Sequence, residues 1–190
     1  METANPEELL ETHSDPFKSR CALVVSILAM VLALASLGGS NASKEATMHN
    51  ILAANAYAFY QAKNIRQTSY RLAADDFQVM LANDKISAAT RELLESKLQA
   101  YKKNIDRYES EPETKEGKKE LMQQAKEHEH ERDLALRRDP WFDYAEAMLQ
   151  IAIVLTSVAL ITSVRTLLGV SLTLGLLGIF CTLNGYLLFI

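Results

Sequence analysis

Five consecutive residues, Glu127-His128-Glu129-His130-Glu131, form the densest run of metal-ligating and acid-base side chains in this sequence. On a helix, residues two apart point about 200° from one another, so His128 and His130 cannot serve one face. The pairs at useful spacing are His128 with Glu131 and Glu127 with Glu131. A zinc helix of the His-Glu-x-x-His type needs its second histidine where Arg132 or Leu134 stands. The run therefore reads as a solvated charged face, and no metal, cofactor or catalytic residue is expected from it.

A second group, Tyr57, Phe59, Tyr60, Gln61, Lys63 and Arg66, interleaves aromatic rings with cations. Covalent catalysis needs a nucleophile and a base on one helix face. The face of Tyr60 continues through Lys63, Asn64 and Gln67, which supply no serine, cysteine, histidine or carboxylate. Two uses stay open for Tyr57, Phe59, Tyr60, Lys63 and Arg66: anchoring a partner by stacking and hydrogen bonding, or packing against the chain's own helices.

A third group lies in apolar surroundings: Gln150, Thr182 and Asn184. Uncharged polar side chains in a membrane helix either hydrogen-bond a neighbouring helix or mark a pathway, and helix-to-helix bonding is the expected use here. Ser171 with Gly175, Gly178 with Thr182, and Ala29 with Ala33 stand four residues apart, a spacing that lets helices approach closely.

The elements that position these residues follow from hydropathy. Apolar runs Cys21 to Leu37, Ala147 to Val164 and Thr166 to Ile190 hold 17, 18 and 25 residues, against the roughly 20 a helix needs to cross about 30 Å of hydrocarbon. The fold class is all-α: an integral membrane protein with three transmembrane helices and a helical hairpin or coiled-coil-like extramembrane domain. The expected divisions are an acidic tail over 1–20, a first span over 21–39, the helical domain over 40–140, and spans over 141–164 and 166–190.

Charge follows the same divisions. Residues 1–20 carry five acids and two bases, 41–144 eighteen acids and seventeen bases, and 145–190 only Glu146 and Arg165. A domain so nearly neutral has no basic footprint, which excludes nucleic acid as a partner and leaves the bilayer, further copies of the chain or another membrane complex. Both cysteines, Cys21 and Cys181, fall at or inside spans, so the polar domain can build neither a disulfide nor a cysteine zinc site. Lys18, Arg20 and Arg165 flank the spans on one side. By the positive-inside rule that side is cytoplasmic, placing the N-terminus in the cytoplasm and the helical domain outside, in a bacterium the periplasm. Arg137 and Arg138 oppose this, although long translocated domains are largely exempt from the rule. Trp141, Phe142, Tyr144, Tyr186 and Phe189 would form an aromatic belt at one interface.

Residues 43 to about 82 lack Gly and Pro and predict a long helix, with Ile51, Asn55, Ala58, Ala62, Ile65, Ser69 and Leu72 as one coiled-coil-like stripe. A separate start after Gly38-Gly39 and a single helix continuing from the first span are both open. Asn83-Asp84 predicts a break, with Asp84 capping a second helix whose stripe is Leu94, Leu98, Tyr101, Ile105 and Tyr108. Ser110-Glu111-Pro112-Glu113, a capping-box pattern, and Gly117 place the tip of a helical hairpin between 109 and 118. A third helix follows over about 118–137 with Leu121, Ala125, His128 and Ala135 inward, and Asp139-Pro140 predicts the start of a new one.

Four segments, Asp15-Pro16-Phe17, Ser43-Lys44-Glu45-Ala46, Phe59-Tyr60-Gln61-Ala62-Lys63 and Gln150-Ile151-Ala152-Ile153, resemble an uncharacterised bacterial membrane-protein family known only as a domain of unknown function. The Tyr-Gln-Ala-Lys element at Tyr60 to Lys63 is its most specific part. The resemblance covers nearly the whole chain and implies a three-span inner-membrane protein; it brings no activity, substrate or catalytic residue. A large aromatic ahead of that element is part of the family pattern, a role that Tyr57 and Phe59 fill here.

Overall fold

Two glycines and a proline, the residues that most oppose a helix interior, lie inside the two longest helices. The computed structural model describes residues 16–190, so the tail before Pro16, Asp15 included, lies outside the described residues. Four helices follow in order: α1 Pro16–Leu81, α2 Ala88–Glu109, α3 Lys118–Thr162 and α4 Arg165–Leu187. There is no strand among the described residues. Helices α1, α3 and α4 are long and apolar enough to cross a membrane, and the expected spans fall on them. The chain divides into two compact units, residues up to Glu45 with Leu134–Ile190, and Ala46–Asp133.

In the first unit α1, α3 and α4 pack around Leu28, Ala35, Ala145, Leu149, Ala152 and Cys181. Its largest fully buried side chain is Phe142, at 2% exposure. A side chain added at Gly38 or Gly185 would collide with the Phe142 ring, and one at Gly39 would crowd the Phe142 Cβ. That contact explains the continuity of α1: two glycines cost a helix about 2 kcal/mol together, but here they clear space for an aromatic ring. The α1 residues that turn inward are Cys21, Leu28, Ala35 and Ala42, seven apart, whereas Ala29 and Ala33 face outward. Asp139-Pro140 does not begin a helix; α3 runs through Pro140, which deprives only the Leu136 carbonyl of its partner. Between α3 and α4 the chain turns at Ser163, which adopts the left-handed conformation (φ 57°).

The second unit is an antiparallel hairpin with an interrupted return arm. Moving up α1, Tyr57 meets Glu129, Gln67 meets Lys118 and Ile105, and Phe77 meets Tyr101. The α3 and α2 partners thus run downward in sequence as α1 runs upward. The tip of the hairpin is therefore residues 82–87, not 109–118 as the capping signals predict. Ser110 to Gly117 instead lies beside Lys63, part way along α1, and interrupts the descent between α2 and α3. The 36 residues from Ala46 to Leu81 give this arm a length of about 54 Å.

Local chemistry accounts for both corrections. Ser87, not Asp84, caps α2: it is extended (ψ 152°) and its hydroxyl accepts from the Thr90 N–H at 3.1 Å. Ser110 forms no capping box with Glu113. Its N–H closes the end of α2 on Asp106, and its hydroxyl donates to Glu120, whose other oxygen accepts from the Glu111 N–H. Gly117 sits against the Ser110 and Glu111 backbone, where no Cβ fits. Gly117→Ala is expected to destabilise this unit by about 1–3 kcal/mol, read as an earlier urea midpoint; an unchanged midpoint would contradict this packing.

The inward stripe of α1 also differs from the expected one. Leu94, Leu98, Tyr101, Ile105 and Tyr108 of α2 face inward as predicted, as do Leu121, Ala125, His128 and Ala135 of α3. On α1, however, the positions turned inward are Ala46, His49, Ala53, Ala56, Tyr60, Lys63, Gln67, Tyr70, Ala74 and Phe77, at alternating steps of three and four. Ile51, Asn55, Ala58, Ala62, Ile65, Ser69 and Leu72 are all exposed.

Candidate functional site

Where the return arm is interrupted, the interior of the hairpin is polar. Gln67 is fully buried and Lys118 nearly so. The Gln67 amide donates to the Ile105 carbonyl (2.9 Å) and to Glu109 (3.0 Å), while its oxygen accepts from Lys118 Nζ at 2.8 Å. Lys118 also pairs with Glu109 at 3.3 Å, and its ammonium lies 5.5 Å from the centre of the Tyr60 ring. One turn away, Lys63 reaches Glu111 (3.8 Å) and Glu116 (3.4 Å) and lies 5.4 Å from the Tyr108 ring centre. Buried polar groups are costly unless paired, and here each partner saturates the next. The interruption at 110–117 brings Lys118 into this place, because α3 begins there.

The Glu109 carboxyl is held below its ordinary range, first by the Gln67 amide and with help from Lys118, against partial burial. Glu120 is lowered as well, chiefly by the Ser110 hydroxyl. A carboxylate with a depressed folded pKa stabilises the fold above its unfolded pKa, about 4.3, and that contribution disappears as pH falls through the folded value. Thermal melts from pH 7 to pH 3 are expected to show an acid loss of stability that is shallower in Glu109→Gln. An identical pH profile would contradict this assignment.

The predicted site residues separate into two sets. Tyr60 and Lys63 belong to the polar interior, and Tyr57 donates a hydrogen bond to Glu129 at 3.1 Å, which raises the Tyr57 pKa. Phe59, at 63% exposure, and Arg66 point outward, and Arg66 forms no ion pair among the described residues. The Glu-His run is divided as well. His128 meets His49 with the two Nδ1 atoms 3.2 Å apart, Glu129 takes Tyr57, and Glu127 accepts from Gln123. No group of three or more histidine, cysteine or carboxylate side chains converges on a metal position among the described residues.

In the membrane unit two side chains of α4 bond other helices: the Tyr186 hydroxyl donates to the Leu34 carbonyl of α1 at 3.0 Å, and the second comes from a residue expected to matter for its small size. Ser171 of α4 donates to the Ala152 carbonyl of α3 at 2.6 Å and adjoins Thr156, all three being buried. Gly175 and Gly178 are buried against Leu28 and Leu149. Thr182 bonds the Gly178 carbonyl of its own helix, and Asn184 accepts from the Phe189 and Ile190 N–H groups, capping α4 instead of bridging helices. Gln150 is exposed on α3, on the same side as Ile151 and Val154. Gln67, Glu109, Lys118 and His49 were not apparent as site residues. The one signal for Gln67 is the three-and-four spacing it shares with Tyr60, Lys63 and Tyr70.

No curated protein and no solved structure matches the chain. A family model described as a domain of unknown function, DUF4337, matches residues 17–188, and the chain belongs to that family.

Proposed function

We propose that this chain is a non-enzymatic integral membrane scaffold or accessory subunit, acting by protein-protein contact, with its helical domain on the periplasmic side of a bacterial inner membrane. The observation that carries the reading is the outward side of α1. Met48, Ile51, Phe59, Ile65, Leu72 and Val79 are each more than half exposed there. Large apolar side chains left open along one helix of a polar domain, with Asn55, Ser69 and Asp76 between them, suit an interaction surface. Polar side chains of the hairpin's interior are occupied with one another, as Tyr57 is with Glu129 and Lys118 with Gln67 and Glu109, which suits a rod that holds its shape. Phe59→Asp is expected to reduce the assembly recovered by gentle extraction about tenfold or more, as truncating a central aromatic anchor does, with helicity unchanged. Recovery of the same particle at the same yield would refute the reading.

A second reading, an oligomeric small channel or transporter component, rests on Gln150. Its amide stands nine residues beyond Trp141, about 13 Å along the helix, and faces out of the unit where hydrocarbon offers no hydrogen bond. Several copies could turn these amides toward a shared path. Gln150→Leu would abolish ion flux into proteoliposomes under this reading and leave a scaffold's assembly intact.

A further inference from the structure

Helix α1 carries two stripes of the same period on opposite sides, and only one is used within the hairpin. The inward stripe is Ala-rich and polar. The outward one runs 48, 51, 55, 58, 62, 65, 69, 72, 76 and 79, alternating three and four without interruption over more than four heptads. Its large members, Met48, Ile51, Ile65, Leu72 and Val79, are 55–75% exposed, and Phe59 and Met80 flank it at 63% and 52%. Positions 51, 58, 65, 72 and 79 are Ile, Ala, Ile, Leu and Val at seven-residue steps, as the d positions of a left-handed coiled coil are, while 48, 55, 62, 69 and 76 between them are Met, Asn, Ala, Ser and Asp. All seven side chains are 52–75% exposed and stand at the a, d or e positions that a parallel partner covers.

We infer that the occupant of this seam is a second copy of the chain, its α1 lying parallel and in register; this rests on the scaffold reading above. Copies inserted in one membrane with one orientation have parallel α1 helices, so the geometry is provided by insertion itself. In that register Ile65 faces Ile65, Leu72 faces Leu72, and Asn55 falls where a parallel coil sets an amide against its own counterpart, the position at which a buried asparagine fixes register. Charge permits the pairing. From Ala46 to Ala74 α1 contains no acid, and of its bases Lys63 and Arg71 turn to the return arm, to Glu111, Glu116 and Glu109. Arg66 would then stand beside Gln61 of the other copy, an amide acceptor in place of a like charge. Like charges meet only at Asp76, toward the outer end of the seam.

The test is cysteine coupling in native membranes, in a background with Cys21 and Cys181 replaced by alanine. Ile65→Cys and Leu72→Cys are expected to give an oxidant-induced dimer at about ten times the yield of Asn64→Cys, an exposed position off the seam, because a disulfide requires Cβ atoms about 3.8 Å apart. Asp76→Leu should raise the yield at both positions. Equal coupling at Asn64→Cys, or none at any position, would overturn the inference. A photo-reactive side chain at position 65 that joins a foreign chain and never its own copy would also overturn it, while the accessory-subunit reading would stand.

Discussion

Phe142→Ala is expected to be the most damaging single substitution in the membrane unit, costing about 3–4 kcal/mol, within the range for truncating a buried aromatic ring. The ring is 2% exposed, stands over Gly38 and Gly185, and meets Tyr186 edge-on with centroids 4.9 Å apart. In a bilayer the transfer of the ring from water adds little, because lipid is as apolar as the core; the loss comes from vacated contacts that the glycines cannot refill. Glycine is needed at position 38 only because the ring is there. Gly38→Leu should therefore destabilise the native protein and be tolerated beside Phe142→Ala, a strongly non-additive pair. Thermal unfolding in detergent reads both effects. Additive losses would show that the glycines serve some other purpose.

In the hairpin, the largest effect is expected from Gln67→Leu, about 2–3 kcal/mol. The substitution removes the 2.8 Å acceptor of a Lys118 ammonium that is 8% exposed, and takes one donor from the Ile105 carbonyl and one from the Glu109 carboxylate. Glu109 then remains as the sole charge partner of Lys118, at 3.3 Å and with 39% of its side chain open to water. Breaking a buried polar network from one side costs more than replacing it whole. The double variant Gln67→Leu with Lys118→Met should consequently recover stability relative to Gln67→Leu alone in urea titration. A double variant less stable than either single one would contradict the network.

The sequence revealed which segments are helical and which are long and apolar enough to cross a membrane more readily than it revealed which faces meet. Ile51, Ile65 and Leu72 made the more aliphatic stripe on α1, yet they are exposed, because the alternative stripe repeats with the same period. Its alanines allow the return arm close, Tyr70 and Phe77 fill the wider gaps against Tyr101 and Tyr108, and Tyr60 lies under the Lys118 ammonium. Nothing local separates two stripes of one period; the partner decides. Gly38-Gly39 and Pro140 are local breakers overridden by packing, which composition does not express. Ser110 carried a genuine capping signal but uses its hydroxyl on Glu120 ten residues away, and this moved the expected tip from 82–87 to 109–118. His49 and His128 are 79 residues apart in the chain; no motif at helical spacing joins them. The small residues of α4 were legible because close approach needs small size at a four-residue step, whereas Asn184 reads alike as bridge or cap until the end of the helix is located.

Native mass spectrometry of the protein, gently extracted from its own membranes with every co-purifying chain identified, tests the scaffold proposal most directly. The proposal predicts an assembly of defined stoichiometry, either multiples of 21.2 kDa or this chain with a fixed number of foreign ones. A monomer carrying no second chain at any detergent concentration would contradict it.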